Sequence, residues 1–316
     1  MIALLPYIAV QKERYSKKGL FMSIYKIDRH TVELTHADRM IFSRQHITKG
    51  EIFTYYQKVA PFMLLHVKNR ILSLQRFPQG VAHEGFYQKN TPDYFPSFVK
   101  RFPLKTQEGE LVNYMVCTNQ AMLLYLVNQG CITFHRWLSR TDKIERPDQL
   151  IFDLDPAKKG SFAQVVWAAQ LIKERLKQDK LSSFVMTTGS KGVHVVVALA
   201  RRYSFEYVRA YARSIANEIV LYDSKNFTLQ VSKNKRGNAL YIDTLRNAYG
   251  QTAVVPFSIR AKSKPYIAMP ITWQELKKIP AADHFTLKSK HLFDYIVENP
   301  WVKLYTQPAL LPRFKQ

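Results

Sequence analysis

The feature that most constrains the fold is a block between residues 149 and 245 in which four short apolar runs alternate with two stretches of helical period. LIFDLD (150–155), SFVMTT (183–188), VHVVVAL (193–199) and NALYIDTL (238–245) are rich in β-branched and aromatic residues and read as strands. After the first run, Ser161 is placed to cap a helix whose Phe162, Val165, Val166, Ala169, Ile172 and Leu176 share one face. After the third, Ser204 opens a second helix with Val208, Tyr211, Ala212, Ile215 and Ile219 inward. The order strand, helix, strand, strand, helix, strand is the split βαβ pattern, an antiparallel sheet carrying two helices.

Around this block the signals are weaker. TVELTH and ILSLQRF alternate as strands do, and Thr48 with Glu51 three residues on resembles a capping box for a helix through IFTYYQKV, with Pro61 near its end. Residues 112–128 are apolar enough to form one buried helix, which Gly130 would terminate. There is no internal repeat and no Gly- or Ser-rich linker. The expected organisation is therefore one α/β (α+β) catalytic domain over 23–300, in two lobes of about 23–148 and 149–300. A loosely ordered extension over 1–22 and a tail over 301–316 would flank it.

Two acids end the first strand of the block. Side chains alternate along a strand, so Asp153 and Asp155 point to one face and Leu154 to the other. Two carboxylates on one face resist joint ionisation unless a cation lies between them, and oxygen ligands of this kind suit Mg²⁺ or Mn²⁺. Asp243 in YIDTL offers a third acid from another strand. Three such acids suit two metals that align an attacking hydroxyl with a triphosphate. The plain alternative is a strand end with solvated acids. An Asp-x-Asp phosphatase is a poor match, because Ala157 stands where that chemistry places Thr or Val.

Charge narrows the partners. The 316 residues carry 47 Lys and Arg against 24 Asp and Glu, a formal +23, which calls for an anionic partner such as nucleic acid or an acidic membrane surface. No apolar stretch approaches the roughly 20 residues that span a bilayer, and two cysteines without metal spacing fit a reducing cytoplasm. In TTGSKGVHV, Gly189 and Gly192 free the backbone to face an anion, Lys191 adds charge, and His194 follows on the next strand. Arg236 and Arg260 can fork onto phosphate oxygens.

LTHADRMIF, GFYQKNTPDYFP, FHRWLSR, FDLDP, TTGSKGVHV, YIDTLRNAYGQT and PFSIRAK, in that order between about residues 30 and 276, resemble the polymerase domain of bacterial ATP-dependent DNA ligase D, in the archaeo-eukaryotic primase superfamily. The resemblance implies that fold, with the split βαβ sheet as an RRM-like palm packed against an N-terminal α/β lobe. It implies a nucleotidyltransferase that extends 3′-hydroxyls at DNA ends or short gaps in non-homologous end joining, with ribonucleotides favoured. Primer synthesis de novo and a non-catalytic end-binding module are the alternatives. The matching positions make Asp153, Asp155 and Asp243 ligands of two Mn²⁺ or Mg²⁺ ions. Thr188, Lys191, His194, Arg236 and Arg260 would line the nucleoside triphosphate, with His135 near its base or sugar. His36, Arg39 and Lys49 would take a DNA 5′-phosphate, and Phe86 with Tyr87 would contact the template. His36 and Gln75 stand where the family often has Asn and Lys, and Thr188 where Ser is common. Because the ligase signature KxDG is missing, a free-standing polymerase is expected, working with DNA, the Ku protein and a separate ligase in the cytoplasm near the nucleoid.

Overall fold

The computed structural model describes residues 11–17, 20–27, 29–106 and 108–314. Part of the expected N-terminal extension, 1–10 and 18–19, lies outside the described residues, while Gln11–Lys17 pairs antiparallel with Leu20–Ile27. The chain forms two compact units. The first takes the described residues up to Arg136 together with Phe257–Pro265, and the second takes Trp137–Pro256 with residues from Tyr266 onward.

In the first unit, the capping box at Thr48 opens a helix over Lys49–Val67, with Glu51 Oε2 accepting from the Thr48 amide at 2.8 Å. Pro61 sits inside this helix rather than near its end. Proline cannot donate to the carbonyl four residues back, and here Gln120 Nε2 donates to that carbonyl, Gln57 O, at 3.3 Å, so the helix continues. The single buried helix expected over 112–128 is instead a strand and a helix. Leu111–Cys117 pairs antiparallel with Arg101–Lys105, and Gln120–Asn128 begins where Asn119 Oδ1 accepts from the Met122 amide at 2.9 Å. A side-chain cap in the middle of the apolar run divides it. Strands Cys131–Trp137, Arg70–Arg76, Leu111–Cys117 and Arg101–Lys105 lie side by side in that order, with Phe86–Gln88 also on Arg70–Arg76.

The return segment is woven into this unit. Tyr55 donates to Phe257 O (2.8 Å), Thr133 Oγ1 donates to Ile259 O (2.8 Å), and Ser258 Oγ accepts from the Phe134 amide (2.9 Å). The Tyr56 hydroxyl accepts from the Ile259 amide at 2.9 Å and donates to Ile132 O. All of these groups are buried, so each bond removes a desolvation cost.

The second unit is the split βαβ block. Its elements are β1 (Gln149–Asp155), α1 (Phe162–Gln178), β2 (Phe184–Thr187), β3 (Val193–Ala198), α2 (Phe205–Tyr222), β4 (Phe227–Thr228), β5 (Leu240–Asp243) and β6 (Pro270–Ile271). The sheet order is β4-β5-β1-β3-β2-β6. The two helices are capped by Ser161 and Ser204 as expected, and Val165, Ala169, Ile172 and Leu176 are buried with Val208, Tyr211, Ala212, Ile215 and Ile219. A core of Ile151, Met186, Val196, Ala198, Phe205 and Trp301 fills the space on the 151/153/155 side of β1. Described residues from 301 onward, expected to be a tail, are docked here: Trp301 Nε1 donates to Val185 O at 3.0 Å and Ala309 bridges Leu199. Among the described residues no helix is long and apolar enough to cross a membrane.

Candidate active site

Strand register brings the three acids together. In the antiparallel ladders Asp153 lies opposite Asp243 on β5 and opposite His194 on β3, and Asp155 lies opposite Tyr241. Residues directly opposed in such a ladder project to the same face. His194 Nε2 stands 3.4 Å from Asp153 Oδ1, and the Tyr241 hydroxyl donates to Asp243 Oδ1 at 3.3 Å. The Leu245 amide also donates to Asp243 Oδ1, at 2.7 Å, fixing the carboxylate where β5 ends.

A residue not singled out by the sequence reading completes the cluster. Arg246 Nε lies 3.1 Å from Asp153 Oδ2 and 3.9 Å from Asp243 Oδ2, so one cation faces acids from two strands. Its position three residues after Asp243, in the turn that follows the strand, was the available signal. Among the described residues no three acidic, His or Cys side chains are drawn into a preformed metal shell. Instead, the guanidinium supplies the positive charge that the converging carboxylates require. Carboxylate oxygens are the donors that a hard divalent cation takes, and Arg246 is the cation that faces them here.

The electrostatics separate the acids. Burial pushes Asp153 up, but His194 and Arg246 outweigh it and hold this carboxyl near 2. Asp155 is raised to about 6, first by burial and then by the negative charge of Asp153. Asp243 is raised by burial, opposed by the Leu245 amide. Burial lowers Arg246, yet Asp153 more than compensates and its proton is held more tightly than usual.

On the β3 side the loop 188–192 closes tightly. The Thr188 hydroxyl donates to Gly192 O at 2.9 Å, and Gly189 has φ +61°, the left-handed region that glycine occupies at low cost. At Gly192 an added Cβ would stand 2.1 Å from Leu154 O, so no side chain fits there without parting β3 from β1. Lys191 is exposed at the loop tip beside this pinch. Across the acids, on the β5 side, the Arg236 guanidinium lies 3.8 Å from the Tyr241 ring centroid and donates to Gln230 O (2.8 Å) and Val231 O (2.6 Å). Arg236 thus flanks the acids opposite Lys191.

The other expected site residues lie in the first unit. His135 stands on Cys131–Trp137, its ring 5.9 Å from that of Tyr87, and Arg260 lies on Ile259–Ala261. Phe86 and Tyr87 are 46% and 62% exposed, a large aromatic surface with Arg76 5.3 Å from the Phe86 ring. His36 is exposed at φ +52°, a conformation that Asn adopts readily, and Arg39 donates to Pro78 O at 2.7 Å. Lys49 points inward, 7% exposed, donating to Thr35 O (2.8 Å) and Asn128 Oδ1 (2.7 Å). Of the expected 5′-phosphate trio, His36 and Arg39 face solvent and Lys49 does not.

Comparison with known proteins decides the family. The model of the LigD primase-polymerase domain matches residues 48–301. The chain belongs to the LigD primase-polymerase family. It is 30% identical over 280 residues to the bifunctional non-homologous end joining protein LigD of Bacillus subtilis, covering 88% of this chain and 44% of that protein. It is 28% identical over 273 residues to the multifunctional LigD of Pseudomonas aeruginosa, covering 85% and 32%. The chain therefore spans less than half the length of these LigD relatives. The fold matches the polymerase domain of Mycobacterium tuberculosis ligase D, solved in complex with DNA, with a TM-score of 0.79 at 24% identity, covering 87% of this chain and 98% of that one. The expected resemblance and the primase-like α/β fold class both hold.

Proposed function

We propose that this LigD-family chain is a nucleotidyltransferase that extends the 3′-hydroxyl of DNA at ends or short gaps during non-homologous end joining. The observation that carries the reading is the alignment of Asp153, Asp155 and Asp243 in register on neighbouring strands, beside the Lys191 loop and His194. Asp153, Asp155 and Asp243 would hold the Mn²⁺ or Mg²⁺ ions, which when bound supply charge stabilisation and a more acidic primer hydroxyl. Lys191, His194, Arg236 and Arg260 are assigned to the triphosphate, where preorganised cations stabilise the charge that develops on displacement of pyrophosphate. Thr188 serves chiefly to close the loop that presents Lys191, since its hydroxyl is engaged with Gly192 O. His135 would meet the sugar or base, and ribonucleotides are the proposed preference. Phe86 and Tyr87 offer stacking faces to the template, which their exposure supports. His36 and Arg39 would take the 5′-phosphate, with Lys49 bracing the turn behind them through its bond to Thr35 O. Ku and a DNA ligase activity are the proposed partners, in the cytoplasm at the nucleoid.

The test is extension of a gapped duplex bearing a 5′-phosphate, with each nucleotide type and either Mn²⁺ or Mg²⁺. Wild type is expected to add nucleotides, and Asp155→Ala to abolish addition while DNA binding stays within about twofold, since the acid touches no phosphate. A primer-free template run alongside separates priming from extension. No addition under any condition, or an unimpaired Asp155→Ala protein, refutes the proposal.

A further inference from the structure

Tyr241 touches two groups with separate tasks, the acid Asp243 and the cation Arg236. It lies on β5 opposite Asp155, sharing a strand face with Asp243 two residues on, and is 4% exposed. Its hydroxyl donates to Asp243 Oδ1 at 3.3 Å, the same oxygen that accepts from the Leu245 amide at 2.7 Å. Both lone pairs of Oδ1 are thereby engaged, and Oδ2 is the oxygen turned toward Arg246, whose Nε stands 3.9 Å away. Asp153 divides its oxygens in the same way, with Oδ1 toward His194 (3.4 Å) and Oδ2 toward Arg246 (3.1 Å). The two Oδ2 atoms thus face one cation, and each carboxylate is steadied through its other oxygen.

The ring of Tyr241 makes the second contact. The Arg236 guanidinium lies 3.8 Å from its centroid, within the range of an attractive cation–ring pair. Gly237 at φ +56° lets the chain fold back, and the Ala239 amide donates to Arg236 O at 3.0 Å, so the turn before β5 carries Arg236 over the strand that it precedes. Bonds to Gln230 O and Val231 O fix the plane of the guanidinium against the ring.

Resting on the nucleotidyl-transfer reading above, we infer that Tyr241 is a positioning residue that serves the divalent ion and the triphosphate through different parts of one side chain. The hydroxyl holds the Asp243 carboxylate with Oδ2 offered to the ion, as hydrogen-bond partners behind metal-ligating groups do. The ring shelves Arg236 and fixes the direction from which its guanidinium meets phosphate. Phenylalanine supplies the second service without the first, and leucine supplies neither.

The experiment uses the full chain and titration calorimetry, first with Mn²⁺ and then with ATP at saturating Mn²⁺, so that binding is read without turnover. Tyr241→Phe is expected to weaken Mn²⁺ binding about fivefold and to leave ATP affinity within about twofold of wild type. The loss falls below the roughly 10- to 100-fold typical of such a partner because the Leu245 amide still donates. Tyr241→Leu is expected to weaken Mn²⁺ binding by the same factor and ATP binding by about threefold as well. Mn²⁺ affinity in Tyr241→Phe equal to that of wild type overturns the inference, as does ATP affinity in Tyr241→Leu equal to that in Tyr241→Phe. So does a uniform loss of both ligands in both variants, which marks a distorted site. Tyr241→Phe removes a single oxygen, so its Mn²⁺ titration decides the matter even where leucine is not tolerated. Wild type that binds neither ligand removes the nucleotidyl-transfer reading together with the inference, whereas wild type that binds both beside indifferent variants removes the inference alone.

Discussion

Asp155→Asn is expected to make the metal-free protein more stable while removing its activity. Asp155 is mostly buried, faces Asp153 and Asp243, and binds its proton with a pKa of about 6 in place of the ordinary 3.8. At about 1.36 kcal/mol per tenfold change in proton affinity, keeping it ionised at neutral pH costs the fold about 3 kcal/mol as a ceiling. Relaxation around the acids reduces that to about 1–3 kcal/mol, or some 1.5–5 °C in melting temperature for a protein of this size. The sign follows from linkage. Folding raises the proton affinity of Asp155, so the penalty is absent below pH 3.8, grows as pH rises through 6, and is constant above about 7. Calorimetric melting in EDTA should therefore show the Asn variant above wild type at about pH 7.5, with the gap closing towards about pH 4. Added Mn²⁺ should raise wild type and leave the variant nearly unmoved. An Asn variant that melts at or below wild type at neutral pH, or a gap indifferent to pH, refutes the claim that burial and the neighbouring Asp153 raise the proton affinity of Asp155.

Two further outcomes follow from the same cluster. Arg246→Ala leaves Asp153 and Asp243 without their shared cation, so denaturant titration in EDTA should show a loss of about 1–3 kcal/mol, and Mn²⁺ should restore more stability to the variant than it adds to wild type. Equal protection of both proteins by Mn²⁺ would remove Arg246 from its place as the cation the acids share. Gly192→Ala drives a methyl into Leu154 O and should cost upwards of about 3 kcal/mol or prevent soluble expression, whereas Lys191→Ala, exposed one residue earlier, should stay within about 0.5 kcal/mol of wild type by the same titration.

The second unit was readable because its periods are clean. The helix face from Val208 to Ile219 is the one observed. That of the first helix holds at Val165, Ala169, Ile172 and Leu176, while Ala168 is buried where Phe162 and Val166 are only part-buried. Strand alternation alone predicts that Asp153 and Asp155 share a face. The run 112–128 misleads because its hydrophobicity is continuous while its partner changes, from a neighbouring strand to a neighbouring helix, and only Asn119 marks the change. Pro61 misleads in the opposite sense, since the tertiary contact from Gln120 replaces what proline removes. Lys49 and Arg246 show what motif matching alone does not settle. A basic residue in a phosphate-binding pattern turned out to face Thr35 and Asn128, and one outside the assigned set faces the acids. Side-chain direction depends on partners from distant strands, which local spacing does not encode.

The return segment Phe257–Pro265 has a consequence for how the protein is made. During synthesis the hydroxyls of Tyr55 and Tyr56, the Phe134 amide and the Thr133 side chain leave the ribosome long before the stretch that satisfies them. The amino-terminal body therefore waits, incomplete, while Trp137–Pro256 is translated, and a nascent chain stalled within that interval exposes apolar surface to chaperones and proteases. A gene cut between residues 136 and 137 leaves the amino-terminal fragment without Phe257–Pro265, which the other fragment carries, so recovery of a native first unit calls for co-expression of both pieces.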